Sequence, residues 1–242
     1  NTLVVGDYET AVPKATNAGD YVVWYVDIKT DPSSANDIGT PAPVNCSISA
    51  AKPTVAVTAL STIKVGEKYD LAATIAPAAS DSSTKLAGSI VFTVKYADDS
   101  EENVNGTVSE NAGSAEWTPT KTGTVKVTAV FTPSGNTNYT TSNASAEVSG
   151  TVNAITLDAT DVELTATATY GQTIGDIKNN LNHNGNVKIL GDSAIVAGTW
   201  SFSEADNTKV GSAGEQEHAA VFTASENPGY YARSEEHTSE LQ

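Results

Sequence analysis

The sequence has no methionine, a single cysteine, one arginine and three tryptophans in 242 residues. Each shortage excludes something. One Cys cannot build an internal disulfide framework or a cysteine-based zinc cluster. Only 13 basic residues face 29 acids, for a formal net charge of −16, which excludes a binder held to nucleic acid by phosphate neutralisation. No run approaches 18 consecutive apolar residues, so no helical membrane span is expected. Charged residues make up only 17% of the chain, and Val, Ile, Leu and aromatic residues recur throughout. That pattern separates it from disordered acidic tails and supplies enough apolar surface for a core. The chain opens at Asn1 without Met, a basic n-region or a signal-type apolar stretch. It is therefore expected to be an internal fragment, with any export signal, anchor or catalytic domain outside it.

What is present is alternation with period two. In Ile90 to Tyr96 one face carries Ile90, Phe92, Val94 and Tyr96; in Val125 to Phe131 one face carries Val125, Val127, Ala129 and Phe131. Tyr21 to Ile28 and Val162 to Thr169 read similarly, and all four segments are rich in β-branched or aromatic residues. Turn formers separate them: Asp98-Asp99-Ser100, Asn105-Gly106, Lys121-Thr122-Gly123 and the stretch from Pro133 to Asn138. Only Ile174 to Leu181 has helical spacing, with Ile174, Ile177 and Leu181 on one face and Thr173 three residues before Asp176 as a capping signal. One short helix (about 174–181) among many short strands predicts an all-β chain of tandem immunoglobulin-like β-sandwiches.

Internal similarity sharpens the organisation. Phe131-Thr-Pro-Ser-Gly-Asn-Thr-Asn-Tyr139 matches Phe222-Thr-Ala-Ser-Glu-Asn-Pro-Gly-Tyr230, both aromatics displaced by 91 residues. A Trp on a short strand lies upstream of each, Trp117 and Trp200, and a weaker copy of the unit's end includes Asn17 to Tyr25. Boundaries are expected near Ala51-Lys52-Pro53 and Val152-Asn153-Ala154. Residues 1–52 then form the C-terminal part of one unit, 53–153 a complete unit, and 154–232 a unit lacking its last strand.

These residues carry a resemblance. Val65-Gly66-Glu67, Gly88-Ser89-Ile90-Val91-Phe92 and the run from Gly123 to Tyr139 resemble the bacterial Ig-like repeats of surface proteins. The third unit is similar to the related MBG-type repeat through Ala168-Thr-Tyr-Gly-Gln-Thr-Ile-Gly175 and Gly198-Thr-Trp-Ser-Phe202. Pro13 to Val23 resembles that repeat's C-terminal half, although this unit carries an insertion at Asp31-Pro-Ser-Ser. The resemblance implies a segment of a secreted or wall-attached bacterial protein in which such units act mostly as spacers and sometimes as adhesive modules.

The last ten residues stand apart. Arg233-Ser-Glu-Glu-His-Thr-Ser-Glu-Leu-Gln242 contains the only Arg and lacks period-two patterning. It resembles the in-frame translation of a sequencing-library adapter, as in a metagenomic record, and is expected to be non-native. Without its one base and three acids the formal charge moves from −16 to −14.

Chemistry-bearing residues are sparse. Asp98-Asp99-Ser100-Glu101-Glu102 could offer oxygen ligands to calcium, but it lacks the spaced Asp-x-Asp-x-Asp-Gly pattern and is expected to be a solvated hairpin tip. Asp158, Asp161 and Glu163 near a unit boundary are a second, minor calcium candidate. No Gly-x-Ser-x-Gly elbow and no phosphate-binding Gly-x-x-x-x-Gly-Lys loop occurs. His183 and His218 lack a second His at ligand spacing and are expected on the solvated surface. Cys46 alternates with Val44 and Ile48, which places it on the core face of a strand. Trp24, Trp117 and Trp200 sit in patterned strands and are expected to fill cores rather than stack on sugars. Lys95 and Lys126 fall on the polar phase of their strands, which argues against the internal Lys–Asn isopeptide bonds found in some Gram-positive surface modules. Asn45, Asn105, Asn138 and Asn143 match the N-glycosylation pattern and carry no functional expectation.

No catalytic, cofactor-binding or metal residue is therefore assigned, and no cofactor is expected. The expected role is a non-catalytic spacer or stalk at the cell wall surface or outside the cell. Its partners would be the neighbouring Ig-like units of the same chain, with no nucleic acid and no membrane insertion. The alternatives are an adhesive unit that binds a glycan or a host surface protein, or an accessory unit of a secreted glycan-degrading enzyme.

Overall fold

In the computed structural model, residues 11, 13–26 and 39–232 are described, together with the backbone of His237–Leu241. The alternating segments become strands, and the pairing follows from which face each one must bury. The first two strands, β1 (Gly19–Tyr25) and β2 (Ala42–Ile48), form an antiparallel ribbon. The next eight are β3 (Thr54–Val57), β4 (Ile63–Lys64), β5 (Tyr69–Ala76), β6 (Gly88–Tyr96), β7 (Glu101–Ser109), β8 (Ala112–Trp117), β9 (Gly123–Pro133) and β10 (Val148–Asn153). They form a single sheet in the order β3-β5-β8-β7-β6-β9-β10-β4, antiparallel except for β10 and β4. The sheet curls until β3 packs across onto β9, so its inner face closes on itself as a sandwich.

That closure explains the burial. Ile90, Phe92, Val94 and Tyr96 on β6 meet Val125, Val127, Ala129 and Phe131 on β9, all of them buried. Leu71, Ile75, Trp117, Ile63 and Val65 belong to the same cluster. Each large side chain taken out of water there contributes about 1.5–3 kcal/mol against the conformational entropy of ordering the strands.

A separate sheet follows. After β11 (Leu157–Asp158) come β12 (Glu163–Ala166), the helix α1 (Ile174–Ile177), β13 (Asn182–Asn184), β14 (Lys188–Ile189), β15 (Gly198–Phe202), β16 (Gln216–Ala224) and β17 (His237–Leu241). The order is β13-β12-β17-β16-β15, with β11 and β14 paired separately. Val162, Leu164, Ala220, Phe222 and Ala224 form one cluster; Ala166, Ile174, Ile177 and Val210 form another. Among the described residues no strand pair joins the sheets on either side of Asn153–Ala154. The helix starts as the sequence indicates. Its Asp176 carboxylate accepts from the Thr173 N–H at 2.9 Å and from the Thr173 hydroxyl at 3.0 Å. These bonds hold the Asp176 carboxyl below its usual range.

One expectation is corrected here. Asn105-Gly106 is not a turn: it lies inside β7, with Gly106 opposite Ile90. The hairpin turn comes four residues later at Glu110 and Asn111, both with positive φ (50° and 69°). Beyond residues 154–232, the span expected to lack its last strand, β17 in the segment read as non-native lies between β12 and β16, parallel to the first and antiparallel to the second. Two strands with open backbone groups accept any extended segment that fits between them. The part of the first strand expected beyond residue 26 and the Asp31 insertion lie outside the described residues.

Candidate functional site

The acidic cluster occupies the β6–β7 hairpin tip, with Asp99 at φ 62°. Asp98, Asp99 and Glu102 already have partners. Asp98 accepts from Lys121 Nζ at 2.7 Å and from the Ser100 N–H and hydroxyl. The Lys121 ammonium, then Ser100, hold the Asp98 carboxyl well below the usual carboxylate range. Asp99 pairs with Lys95 at 2.9 Å. Glu102 turns inward, accepting from the Tyr96 hydroxyl at 2.9 Å and from Trp117 Nε1 at 3.2 Å. The second acidic group is dispersed. Asp158 is bound to the Thr160 N–H and hydroxyl, Asp161 to Lys188, and Glu163 lies on β12 opposite Asn184. Among the described residues no three His, Cys, Asp or Glu side chains stand together as a metal-holding group.

The Tyr96–Glu102–Trp117 network has a pH signature. Burial first, and then the bond to Glu102, push the Tyr96 phenol up to about 12 from an ordinary 10.0. The unfolded chain ionises this phenol near its ordinary value while the folded protein keeps the proton. This contribution to stability is therefore complete below pH 10 and is lost as pH rises from about 10 to about 12. Denaturant midpoints measured across that window should fall in the wild type, and Tyr96→Phe should flatten the fall. An unchanged slope in the variant would remove Tyr96 as the cause.

The tryptophans divide. Trp117 is buried, with Tyr69 edge-on at 6.4 Å. Trp200 is half-buried against Phe222 at 5.3 Å. Trp24 does not fill a core: it is 59% exposed on the ribbon, near Val22 at 54%. Cys46 does share a face with Val44, as its alternation indicates, yet it too is exposed. Both corrections have one cause, since among the described residues no second layer covers the ribbon.

His183 is exposed as expected, on β13. His218 is the opposite case. It is buried, with Nδ1 2.6 Å from a Glu204 oxygen and Nε2 3.3 Å from the Val210 carbonyl. It occupies the inward phase of β16 with Ala220, Phe222 and Ala224, a period-two signal that the sequence does carry. Lys95 and Lys126 face solvent and pair with Asp99 and Glu147.

The joints between sheets hold the most specific geometry. At the first, the Ala51 N–H donates to the Asn138 carbonyl at 2.8 Å, and the Thr140 N–H donates to the Ala51 carbonyl at 2.9 Å. At the second, the Ile155 N–H donates to the Tyr230 carbonyl at 2.7 Å, and the Ala232 N–H donates to the Ile155 carbonyl at 2.8 Å. One linker residue is thus clamped from both sides around a bridge partner, Tyr139 in one case and Tyr231 in the other. The matched tyrosines are therefore Tyr139 and Tyr231, 92 residues apart. The sequence match of 91 holds through Asn136 and Asn227, after which the turn Pro228–Tyr230 adds one residue. Packing agrees: Tyr139 is buried in the middle core and Tyr231 lies against the third unit's own core.

The residue before each bridge reaches back to an earlier segment of the chain. Asn138 Oδ1 accepts from the Ala18 N–H at 2.6 Å, and its Nδ2 donates to Asn17 Oδ1 at 3.1 Å. A cleft of about 600 Å³ opens beside them, lined among others by Ile48, Ser80, Asp81 and Thr84. Tyr230 instead lays its ring over Gly66 and packs against the middle core. Asn138, Tyr230 and Gly66 were not singled out from sequence as joint residues; the doubled tyrosine Tyr230-Tyr231 was the signal.

No helix among the described residues is long and apolar enough to cross a membrane. Compared with known proteins, the chain matches no family model and no curated protein.

Proposed function

We propose that this chain is a non-catalytic spacer segment of a large bacterial extracellular or cell-surface protein, built from tandem Ig-like β-sandwiches in series. The observation that carries this reading is the recurring clamp. Ala51 and Ile155, one at each joint, make the same pair of backbone hydrogen bonds to the loop that follows the β9 or β16 strand. A linker held in this way transmits force and orientation from one core to the next without a long flexible tether. The separate apolar clusters on either side of Asn153–Ala154 support the same reading. A net charge of −16 disfavours association between copies.

One observation favours a second reading, an adhesive unit. Trp24 and Val22 are exposed together on one strand of the ribbon, and an indole face stacks on sugar rings or on apolar protein surface. The full chain should be applied to arrayed glycans and immobilised host-type glycoproteins. The spacer reading expects no saturable binding. Saturable binding that disappears in Trp24→Ala while the circular dichroism is unchanged would favour adhesion instead.

A further inference from the structure

We infer that the residue immediately before the bridge tyrosine, Asn138 in the middle unit and Tyr230 in the third, sets the stiffness of the joint to the preceding unit. The inference rests on the tandem-unit reading and adds a mechanism to it. The two residues occupy the same place in the clamp, since each gives its carbonyl to the linker N–H. Among the described residues, their side chains engage the unit behind differently. Asn138 makes two polar contacts at the mouth of a cleft of about 600 Å³. Such hydrogen bonds exchange readily with water, so this joint can pivot at little net cost.

Tyr230 builds a different joint. Its ring lies where a Cβ on Gly66 would come within 2.9 Å of Cε2. Gly66 has φ +76° and is held by its N–H to the Pro119 carbonyl at 2.8 Å, so the notch is fixed in the middle unit's backbone. Ile155 in the linker packs against the same middle core. The neighbouring Val65 N–H donates to the Asn153 carbonyl at 3.1 Å, tying the notch to the linker. An aromatic ring in a backbone notch has no equivalent exchange with water: tilting the joint re-exposes apolar surface. The second joint is therefore stiff and the first compliant, with the ring of Tyr230, backed by Ile155 and the Val65–Asn153 bond, making the difference.

The test uses the full chain, with Tyr230→Asn, which imports the first joint's residue, and Gly66→Ala, which fills the notch and leaves Tyr230 in place. Tyr170→Ala, at an exposed tyrosine of the same unit, is the control. In the wild type and control, residual dipolar couplings of the β3–β10 and β12–β16 strands should fit one alignment tensor. In both variants they should require two. Amide exchange at Ile155 and Ala232 should quicken roughly tenfold, the effect of losing part of one half-buried ring from the closed state. A single tensor and unchanged exchange in Tyr230→Asn would overturn the assignment even if Gly66→Ala failed to fold. Two tensors already in the wild type would overturn the stiff joint while leaving the tandem units standing. If the strand amides on both sides of Asn153 open together in one shared event, the tandem-unit reading itself fails.

Discussion

Replacing Trp117 with alanine lowers the unfolding free energy of the middle sandwich by about 3–5 kcal/mol. The side chain is 2% exposed and fills the core beside Leu71 and Val94 in the same apolar cluster, so truncation removes its apolar burial and leaves a void that rigid strands cannot collapse. It also removes the Nε1 donor at 3.2 Å from Glu102, leaving that carboxylate with the Tyr96 hydroxyl. A donor lost from a partly buried carboxylate adds to the cavity term. Trp117→Phe keeps most of the volume and loses only the donor and part of the ring, so its cost should be about 1–2 kcal/mol. Urea unfolding followed by circular dichroism, with the transition slope compared between variants, measures both. A loss below about 1 kcal/mol for the alanine variant would mean that this core does not depend on its largest residue.

Gly106→Ala should be nearly as damaging, for a different reason. The ladder between β7 and β8 ends at Thr107 and Ser114, and there the backbones approach so closely that only a hydrogen fits. A Cβ on Gly106 would fall 2.1 Å from the Ser114 carbonyl oxygen and 2.7 Å from the Ala115 Cβ. Backbone cannot swing aside as a long side chain does, so strands must separate, at a cost of about 2–3 kcal/mol. Gly135→Ala is the comparison. That glycine sits at φ +71° with nothing within 4 Å of a Cβ, so its cost is limited to the left-handed backbone, about 1–2 kcal/mol. The same urea experiment separates the two. Equal effects at the two positions would contradict a close approach at Gly106.

These residues also show which features are legible in a sequence. Where a strand has one buried face, alternation names that face correctly: the faces read in Ile90 to Tyr96 and Val125 to Phe131 point inward, and in Val162 to Thr169 the face is buried through Ala166, where the strand ends. The Thr173–Asp176 start of the helix is equally local and equally visible. Alternation does not reveal whether anything lies opposite the face it defines. Hence Cys46 and Val44 share the expected face of the ribbon and still meet solvent, and Trp24 does as well. Asn105-Gly106 illustrates a second limit. The dipeptide satisfies a tight turn and a crowded strand equally well, because the same missing Cβ serves both. The turn itself uses Glu110 and Asn111 at positive φ, which their residue types signal only weakly.

The joints were half visible. The segments from Phe131 and Phe222 each begin at a buried aromatic, but a gapless match pairs Tyr139 with Tyr230 and hides the extra residue in the Pro228–Tyr230 turn. Only hydrogen bonding across the linker shows that Tyr231 is the counterpart and that Tyr230 is free to face the preceding unit. His218 was legible from β16 alternation, but a lone polar residue invites a surface placement unless the phase of the whole strand is weighed. The Asn138 contacts to Asn17 and Ala18 span 121 and 120 positions, and no local pattern encodes them.

The central claim is that the chain carries separately folded cores in series, and mechanical unfolding of single full-length molecules held by their two ends tests it most directly. The middle sandwich, from β3 to β10, should give its own unfolding event. The event should release roughly 300–350 Å of contour, for about 100 residues at about 3.6 Å each less the folded span. It should stay separate from the release of the third unit. A single event that spans both sheets, or smooth extension with no event of that length, would contradict the account.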